Sequence, residues 1–107
     1  MQPPNDSLMI LDKLLKDYFK SLNTLKDEYP GAIDLLMTIP NLQDKDTEDA
    51  ICSTGADLVH DIGVLVAGRR IEAIAGLCLA RIIEIIVNLL IARLYLLKEQ
   101  SKSRVLH

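Results

Sequence analysis

The strongest candidate for catalysis or metal binding in this sequence is the group Asp57, His60 and Asp61. In a helix, His60 lies one turn after Asp57 and directly before Asp61, which is the minimum for an oriented general base or a partial metal site. No HxxxH pair accompanies this group, and no nucleophile in the sequence has a fixed partner. We therefore expect His60 to lie on the surface or between helices, without a catalytic role.

Two further segments resemble ligand-binding loops but lack the residues that such loops need. The acidic run Asp44 to Asp49 resembles the start of a calcium loop, because oxygens at alternate positions can converge on one cation. Counted from Asp44, however, Asp49 takes the place of the required glycine and Gly55 the place of the closing carboxylate. Residues 63–68 follow no strand and lack the spacing of a phosphate-binding loop. The sequence predicts a protein that is not an enzyme and holds no metal ion or cofactor.

Three polar residues interrupt the apolar C-terminal part of the chain. Arg81, Glu84 and Asn88 recur at spacings of three and four, so they share one stripe of a helix. Polar residues within an apolar helix surface commonly set the register between helices, although ligand binding is an alternative. We expect a subunit interface formed by these three residues and by their apolar neighbours Ile82, Ile85 and Leu89.

Basic residues form a second candidate site, for a nucleic-acid backbone. Twelve Lys and Arg against fifteen Asp and Glu give a net charge of −3, which argues against coating nucleic acid with the whole surface. The four aromatic residues include no Trp, so a base-stacking platform is hard to build. If copies aligned their basic patches, a groove that tracks phosphates could form; ordinary solvated faces are the alternative. The candidates are Lys13, Lys16, Lys20, Lys26, Arg69, Arg70, Arg93, Lys98 and Lys102.

Helical periodicity dominates the first two-thirds of the chain. Capping residues predict a first helix from about Ser7, with an apolar seam at Leu8, Leu11, Leu15, Tyr18, Leu22 and Leu25.

The segment Tyr29-Pro30-Gly31 predicts that the first helix ends there. A short second helix should run from Gly31 to Thr38, with Ile33, Leu36 and Met37 inside, and end at Pro40. A third helix, capped by Asp46 or Thr47, should continue to Ala67 and end at Gly68.

The last helix is the most unusual element. Nothing interrupts helix from Arg69 to Ser101, and about 32 residues at roughly 1.5 Å each give a length near 50 Å. Such a helix must protrude, kink at Gly76 or pack on other chains, because a domain of this size has a radius of gyration of about 13 Å. We expect a single all-α domain over residues 1–107. It should be a bundle of four to five helices with a long, apolar C-terminal helix that oligomerises or joins a larger complex.

Charge placement and cysteine usage bear on location. The segment from Ile71 to Leu97 is apolar, but the charged residues Arg81, Glu84 and Arg93 interrupt it. A membrane-spanning helix, in contrast, needs roughly 20 predominantly apolar residues. Cys52 and Cys78 have no CxxC spacing and are expected to be reduced core residues. The first residues resemble no secretory leader. We therefore expect a cytoplasmic protein without membrane contact.

The segment Tyr29-Pro30-Gly31-Ala32-Ile33-Asp34-Leu35-Leu36, between an amphipathic helix and a helix over residues 46–66, resembles the small subunit of archaeal type I-A CRISPR effector complexes. The resemblance implies a non-catalytic protein that stacks in several copies, braces other subunits and helps to hold target DNA by its backbone. Family members with an insertion between the helical halves differ from this chain, which runs straight through Gly68. A fainter likeness, through Arg70, Ile74 and Leu77, is to the helical domain of archaeal replication GINS subunits.

Two functions from different classes follow from these patterns. The first is a nucleic-acid-associated small subunit of a CRISPR effector or another multi-protein complex, whose partners are its own copies, other subunits and a DNA or RNA backbone. The second is a helical homodimeric interaction module without affinity for nucleic acid. An enzyme would require Asp57, His60 and Asp61 to meet a further group that the sequence does not reveal.

Overall fold

The computed structural model describes the backbone of residues 4–105 and the side chains of residues 6–102. Within these residues the chain forms four α-helices and two 3₁₀ turns and contains no strand. The helices are α1 (Pro4–Glu28), α2 (Ile33–Thr38), α3 (Glu48–Ala67) and α4 (Ala73–Val105), and the 3₁₀ turns are Pro30–Ala32 and Ile39–Asp44. The prediction of an all-α bundle with a long apolar C-terminal helix is confirmed.

Helix α1 begins at Pro4, three residues before the predicted start at Ser7. Proline suits the first helical position, because its fixed φ matches the helix and its missing N–H has no partner to lose there. The predicted apolar seam is confirmed, since Leu15 and Leu22 are buried. The seam positions Tyr18 and Leu25 pack half-buried against the same core.

The region after α1 differs from the prediction in its inward-facing residues. Leu35 and Leu36 are buried, whereas Ile33 and Met37 are 37% and 61% exposed. The reason is the pair of 3₁₀ turns around α2, which advance by three residues per turn and so shift the helical phase. Pro40 does not end the helical structure either, because it lies in the first turn of a 3₁₀ segment that reaches Asp44. The buried positions of this region are Ala32, Leu35, Leu36, Ile39 and Leu42.

Helix α3 begins where the sequence predicts. The Thr47 side chain accepts a hydrogen bond from the Ala50 N–H at 3.1 Å, and Glu48 and Asp49 occupy the first turn. A carboxylate there is favoured by the positive end of the helix dipole. Thr47 is therefore the cap, and the third predicted helix is confirmed from its first turn.

The junction between α3 and α4 is longer than predicted. Gly68 ends α3, but the left-handed residue is Arg69, with φ of 58°. The Arg70 N–H donates to Leu65 O at 2.9 Å and the Arg69 N–H to Val66 O at 3.0 Å, which is the Schellman pattern of helix termination. This turn uses residues 69–72, so α4 begins at Ala73 and not at Arg69.

Helix α4 packs against α3 and α1, and its inward face supplies Leu79, Ile83 and Ile86 to the core. The helix is continuous through Gly76, so the four-helix form of the prediction holds. At 33 residues it is about 50 Å long. The molecule accordingly measures 56 × 24 × 18 Å, with a radius of gyration of 15.9 Å, above the 13 Å or so of a compact domain of this size.

Cys52 and Cys78 are free, but the prediction that they lie in the core is wrong, because both are exposed. Cys52 follows Ile51 and Cys78 precedes Leu79, and these two neighbours take the inward positions. Ile51 and Leu79 are almost completely buried. Since adjacent positions of a helix are about 100° apart, a neighbour of a fully inward residue turns away from the core.

Candidate interaction surface

The outward face of α4, defined as Ile74, Leu77, Arg81, Glu84, Ile85 and Asn88, carries large apolar side chains in solvent. Ile74 is 75% exposed, Leu77 67% and Ile85 37%. These positions recur at spacings of three and four, on the side opposite the buried Leu79 and Ile83. An exposed apolar stripe on a helix is typical of a protein-protein contact.

The three predicted register-setting residues lie within this face. Arg81, Glu84 and Asn88 are all exposed, and no polar or charged side chain is buried among the described residues. Of the apolar residues predicted beside them, Ile85 is exposed, whereas Ile82 and Leu89 pack half-buried on the core of their own chain. The structure thus places the polar residues together and leaves all three accessible to a partner.

A shallow groove of about 500 Å³ runs along this face where α3 and α4 meet. Its floor depends on Gly55, because a Cβ at that position would lie 2.6 Å from Val87 Cγ2. Because Gly55 has no side chain, α3 and α4 approach each other closely at this point of the groove. Its lining residues are Gly55, Ala56, Val59, Ile83, Glu84, Val87 and Asn88.

Three of the basic residues predicted to bind nucleic acid contact other side chains of their own chain. Arg93 Nε lies 2.7 Å from Asp12 Oδ1, and Lys13 Nζ lies 3.2 Å from Asp17 Oδ2. The Lys98 ammonium lies over the Tyr95 ring, 5.7 Å from its centre. Lys13 and Asp17 stand four residues apart on α1, as do Asp12 and Lys16, and this spacing allows either pair to form. The first pair forms, whereas Asp12 pairs with Arg93 of α4.

The other predicted basic residues fall into separate regions. Lys16 lines a cleft with Arg93 between α1 and α4, and Arg69 and Arg70 line another at the far end of α1, beside Tyr29. The first cleft is lined by α1 residues up to Phe19 and the second from Glu28, so about 13 Å of axial rise separates their nearest lining residues. Lys20 and Lys102 are exposed and Lys26 is half-buried. One chain does not join these cations into a single groove.

Asp57, His60 and Asp61 are all exposed on α3. Among the described residues, no group of three or more His, Cys, Asp or Glu side chains is arranged to hold a metal ion. Asp46 precedes the Thr47 cap, and Asp44 ends the second 3₁₀ turn. The acidic run thus extends from the end of the second 3₁₀ turn into the first turn of α3.

A contact that the sequence does not predict joins the first turn of α3 to the C-terminal half of α4. The Tyr95 hydroxyl donates a hydrogen bond to the Glu48 carboxylate, across 47 residues of sequence. This hydrogen bond raises the pKa of the Tyr95 phenol, and the negative charge of Glu48 raises it further, because both disfavour the phenolate. No periodicity could reveal the pair, since each residue reads as an ordinary solvent-facing position.

We expect Glu48→Gln to lower the pKa of Tyr95 toward its ordinary value of about 10, because the variant removes the carboxylate charge. Since the folded-state pKa is raised, the contact contributes stability fully below about pH 10 and loses it as the pH rises through the folded-state value. Phenolate absorbance during a pH titration measures the shift, and Tyr95→Phe identifies the step by removing it. A Glu48→Gln titration that superimposes on the wild-type curve would contradict the assignment.

Two described helices are long and apolar enough to cross a membrane by length and composition alone. These are Glu48–Ala67 and Ala73–Lys102, in which a window of 18 residues reaches a mean hydropathy of 1.4 and 2.3, respectively. Core helices of soluble proteins pass the same test, so the finding is weak evidence by itself. The more apolar of the two helices, α4, is also the one that carries the exposed apolar face described above.

Comparison with known proteins gives no match for this chain among protein-family models, curated proteins or solved structures. The class that the fold defines is an all-α bundle with an extended C-terminal helix. The likeness to CRISPR effector small subunits therefore stays a prediction.

Proposed function

We propose that this protein is a non-catalytic helical subunit that acts by assembling with its own copies and with other proteins. The observation that carries the proposal is the uncovered outward face of α4, where Ile74 and Leu77 stand mostly in solvent. A helix that is apolar around most of its circumference is stable in water when several of its sides are buried. Within the described chain, α3 and α1 cover only the opposite side of α4.

The total surface supports the same proposal. The accessible surface is 7427 Å². A compact monomer of 11.9 kDa exposes about 6,000 Å², so this chain exposes about 1,400 Å² more. This surplus exceeds the area of about 800 Å² that each partner contributes to a standard protein-protein interface.

A second candidate function is that of a nucleic-acid-binding small subunit, in the manner of the CRISPR effector proteins that residues 29–36 resemble. The observation in its favour is that Lys16, Lys20, Arg69 and Arg70 are exposed. None of these four side chains belongs to an ion pair among the described residues. Cations of this kind would hold phosphates without reading bases, with an affinity that falls steeply with salt. Stacked copies would be needed to align the two separated clefts.

Gel filtration with light scattering, at low and high salt and with a labelled single-stranded DNA oligonucleotide, tests both candidates. An assembly subunit is expected to be a dimer or larger at both salt concentrations, because its contact is apolar. The nucleic-acid-binding subunit is expected in addition to shift the oligonucleotide at low salt only. A monomer under all conditions would contradict the assembly function, and an assembly that ignores the oligonucleotide would contradict the second candidate.

A matched pair of variants separates specific contacts from net charge. The first carries glutamine at Lys16, Lys20, Arg69 and Arg70 and is expected to lose oligonucleotide binding. The control reaches the same net charge through acidic substitutions at exposed neutral positions and is expected to keep most of its binding. Its substitutions are Ser7→Asp, Met37→Glu, Asn41→Asp and Ser53→Asp, at exposed positions that line neither cleft. Equal loss in both variants would show that net charge, and not these four cations, governs binding.

A further inference from the structure

We propose that the outward face of α4 pairs antiparallel with the same face of a second copy, so that Arg81 of each chain lies opposite Glu84 of the other. This inference rests on the proposed assembly function and names its partner, orientation and register. The contact is isologous, with a two-fold axis passing between positions 81 and 84.

The arrangement of the face suits such a contact. Arg81 and Glu84 lie one turn apart, about 4.5 Å along the axis, and Leu77 and Ile85 flank them on either side. Leu77 and Ile85 would supply the apolar area, and the two charges would supply the register. Neither charged side chain has an ion-pair partner among the described residues, so both are available.

The charges also decide the orientation. In a parallel pair, each residue faces its own copy, so Arg81 would face Arg81 and Glu84 would face Glu84. Such like-charge contacts are destabilising, whereas the antiparallel pair converts both into opposite-charge contacts. A single Arg and a single Glu on one turn are thus self-complementary only in the antiparallel orientation.

The available area fits a second copy. A standard protein-protein interface removes about 800 Å² from each partner. The surplus surface of this chain, about 1,400 Å² relative to a compact monomer of its mass, is sufficient for such an interface with area to spare. A standard interface through α4 would lower the exposed surface of each chain to about 6,600 Å², which removes more than half of the surplus.

A lipid covering fits the same face less well. Arg81, Glu84 and Asn88 all stand on it within two turns of the helix. A charged side chain facing the centre of a bilayer costs about 2.5–3.5 kcal/mol on insertion scales, and two would stand here together. In the proposed dimer each of these charges instead lies opposite a charge of the other sign, which offsets part of the cost of removing both from water.

Charge reversal tests the register. We expect Arg81→Glu and Glu84→Arg each to weaken dimerisation about tenfold or more, which corresponds to about 1.4 kcal/mol, because each single variant places like charges opposite one another. The double variant, with both reversals, should restore the wild-type dissociation constant. An equimolar mixture of the two single variants should form a heterodimer, since their charges complement each other. The measurement is sedimentation equilibrium under reducing conditions, so that exposed Cys78 forms no crosslink.

Controls and alternative outcomes are matched to these variants. Lys20→Glu and Asp57→Arg make the same changes of net charge on exposed positions of α1 and α3 and should leave the dimer intact. Helicity by circular dichroism should be unchanged, because Arg81 and Glu84 touch no ionic partner in their own chain.

A wild-type oligomer that none of the reversals affects would overturn this register while leaving the assembly function standing. A wild-type monomer would overturn both, and co-sedimentation of that monomer with phosphatidylcholine vesicles would identify lipid as the covering.

Discussion

Ile86→Ala is expected to lower the free energy of unfolding by about 2–5 kcal/mol. The Ile86 side chain is 0% exposed and belongs to the central cluster of buried residues. Its truncation removes apolar area from the core and leaves a cavity, because α1 and α3 hold α4 from two sides and the site cannot collapse fully. A small domain has only about 5–15 kcal/mol of stability, so the loss is a large share of the total.

Urea unfolding followed by circular dichroism, at one fixed protein concentration, measures this loss. The matched control is Ile10→Ala, the same chemical change at a side chain of α1 that is 56% exposed. Its effect should stay within about 0.5 kcal/mol, since the exposed surface is nearly indifferent to truncation and alanine favours helix. Similar losses in the two variants would show that Ile86 does not occupy the core.

Gly31→Ala is expected to lower the free energy of unfolding by about 1–3 kcal/mol. A Cβ at Gly31 would lie 2.4 Å from the carbonyl oxygen of Arg70, a distance that no rotamer change can relieve, because the obstacle is backbone. The chain must therefore separate the 3₁₀ turn Pro30–Ala32 from the turn that joins α3 to α4. Close approach of two backbones is one of the situations in which only glycine fits.

Gly63→Ala is the natural control for this variant. Gly63 lies inside α3 and is exposed, and nothing stands within 4 Å of the position that its Cβ would take. Alanine there should raise the free energy of unfolding by about 0.5–1 kcal/mol through helix propensity. Thermal unfolding should thus move the two melting temperatures in opposite directions. If Gly31→Ala stabilised the protein as Gly63→Ala does, the close approach to Arg70 would be refuted.

Local chemistry explains which helix boundaries the sequence predicts well. Thr47 caps α3 as predicted, because a hydroxyl three residues before a free N–H can accept its hydrogen bond whatever the rest of the chain does. The break at Tyr29-Pro30 is likewise local, since proline restricts the residue before it. The α2 region is predicted less well. Its inward residues depend on 3₁₀ turns that local propensity does not distinguish from α-helix.

The outward face of α4 could likewise be predicted from the sequence only in part. The stripe of Arg81, Glu84 and Asn88 could be predicted, because a spacing of three and four places residues on one side of any helix. Whether that side faces the core or solvent depended on where α1 and α3 pack. Cys52 and Cys78 show the consequence, since their composition-based assignment to the core was wrong by one position in each helix.

The amino-acid sequence by itself determined that this chain is helical, where α3 begins and ends, that its last helix is long and apolar, and which residues share a face. These properties arise from hydrogen bonds, caps and periodicity within a few residues of one another. Only the tertiary structure decided which face is outward and that Tyr95 reaches Glu48 and Arg93 reaches Asp12. Those pairs bring together residues that are 47 and 81 positions apart, and such contacts depend on how whole helices pack.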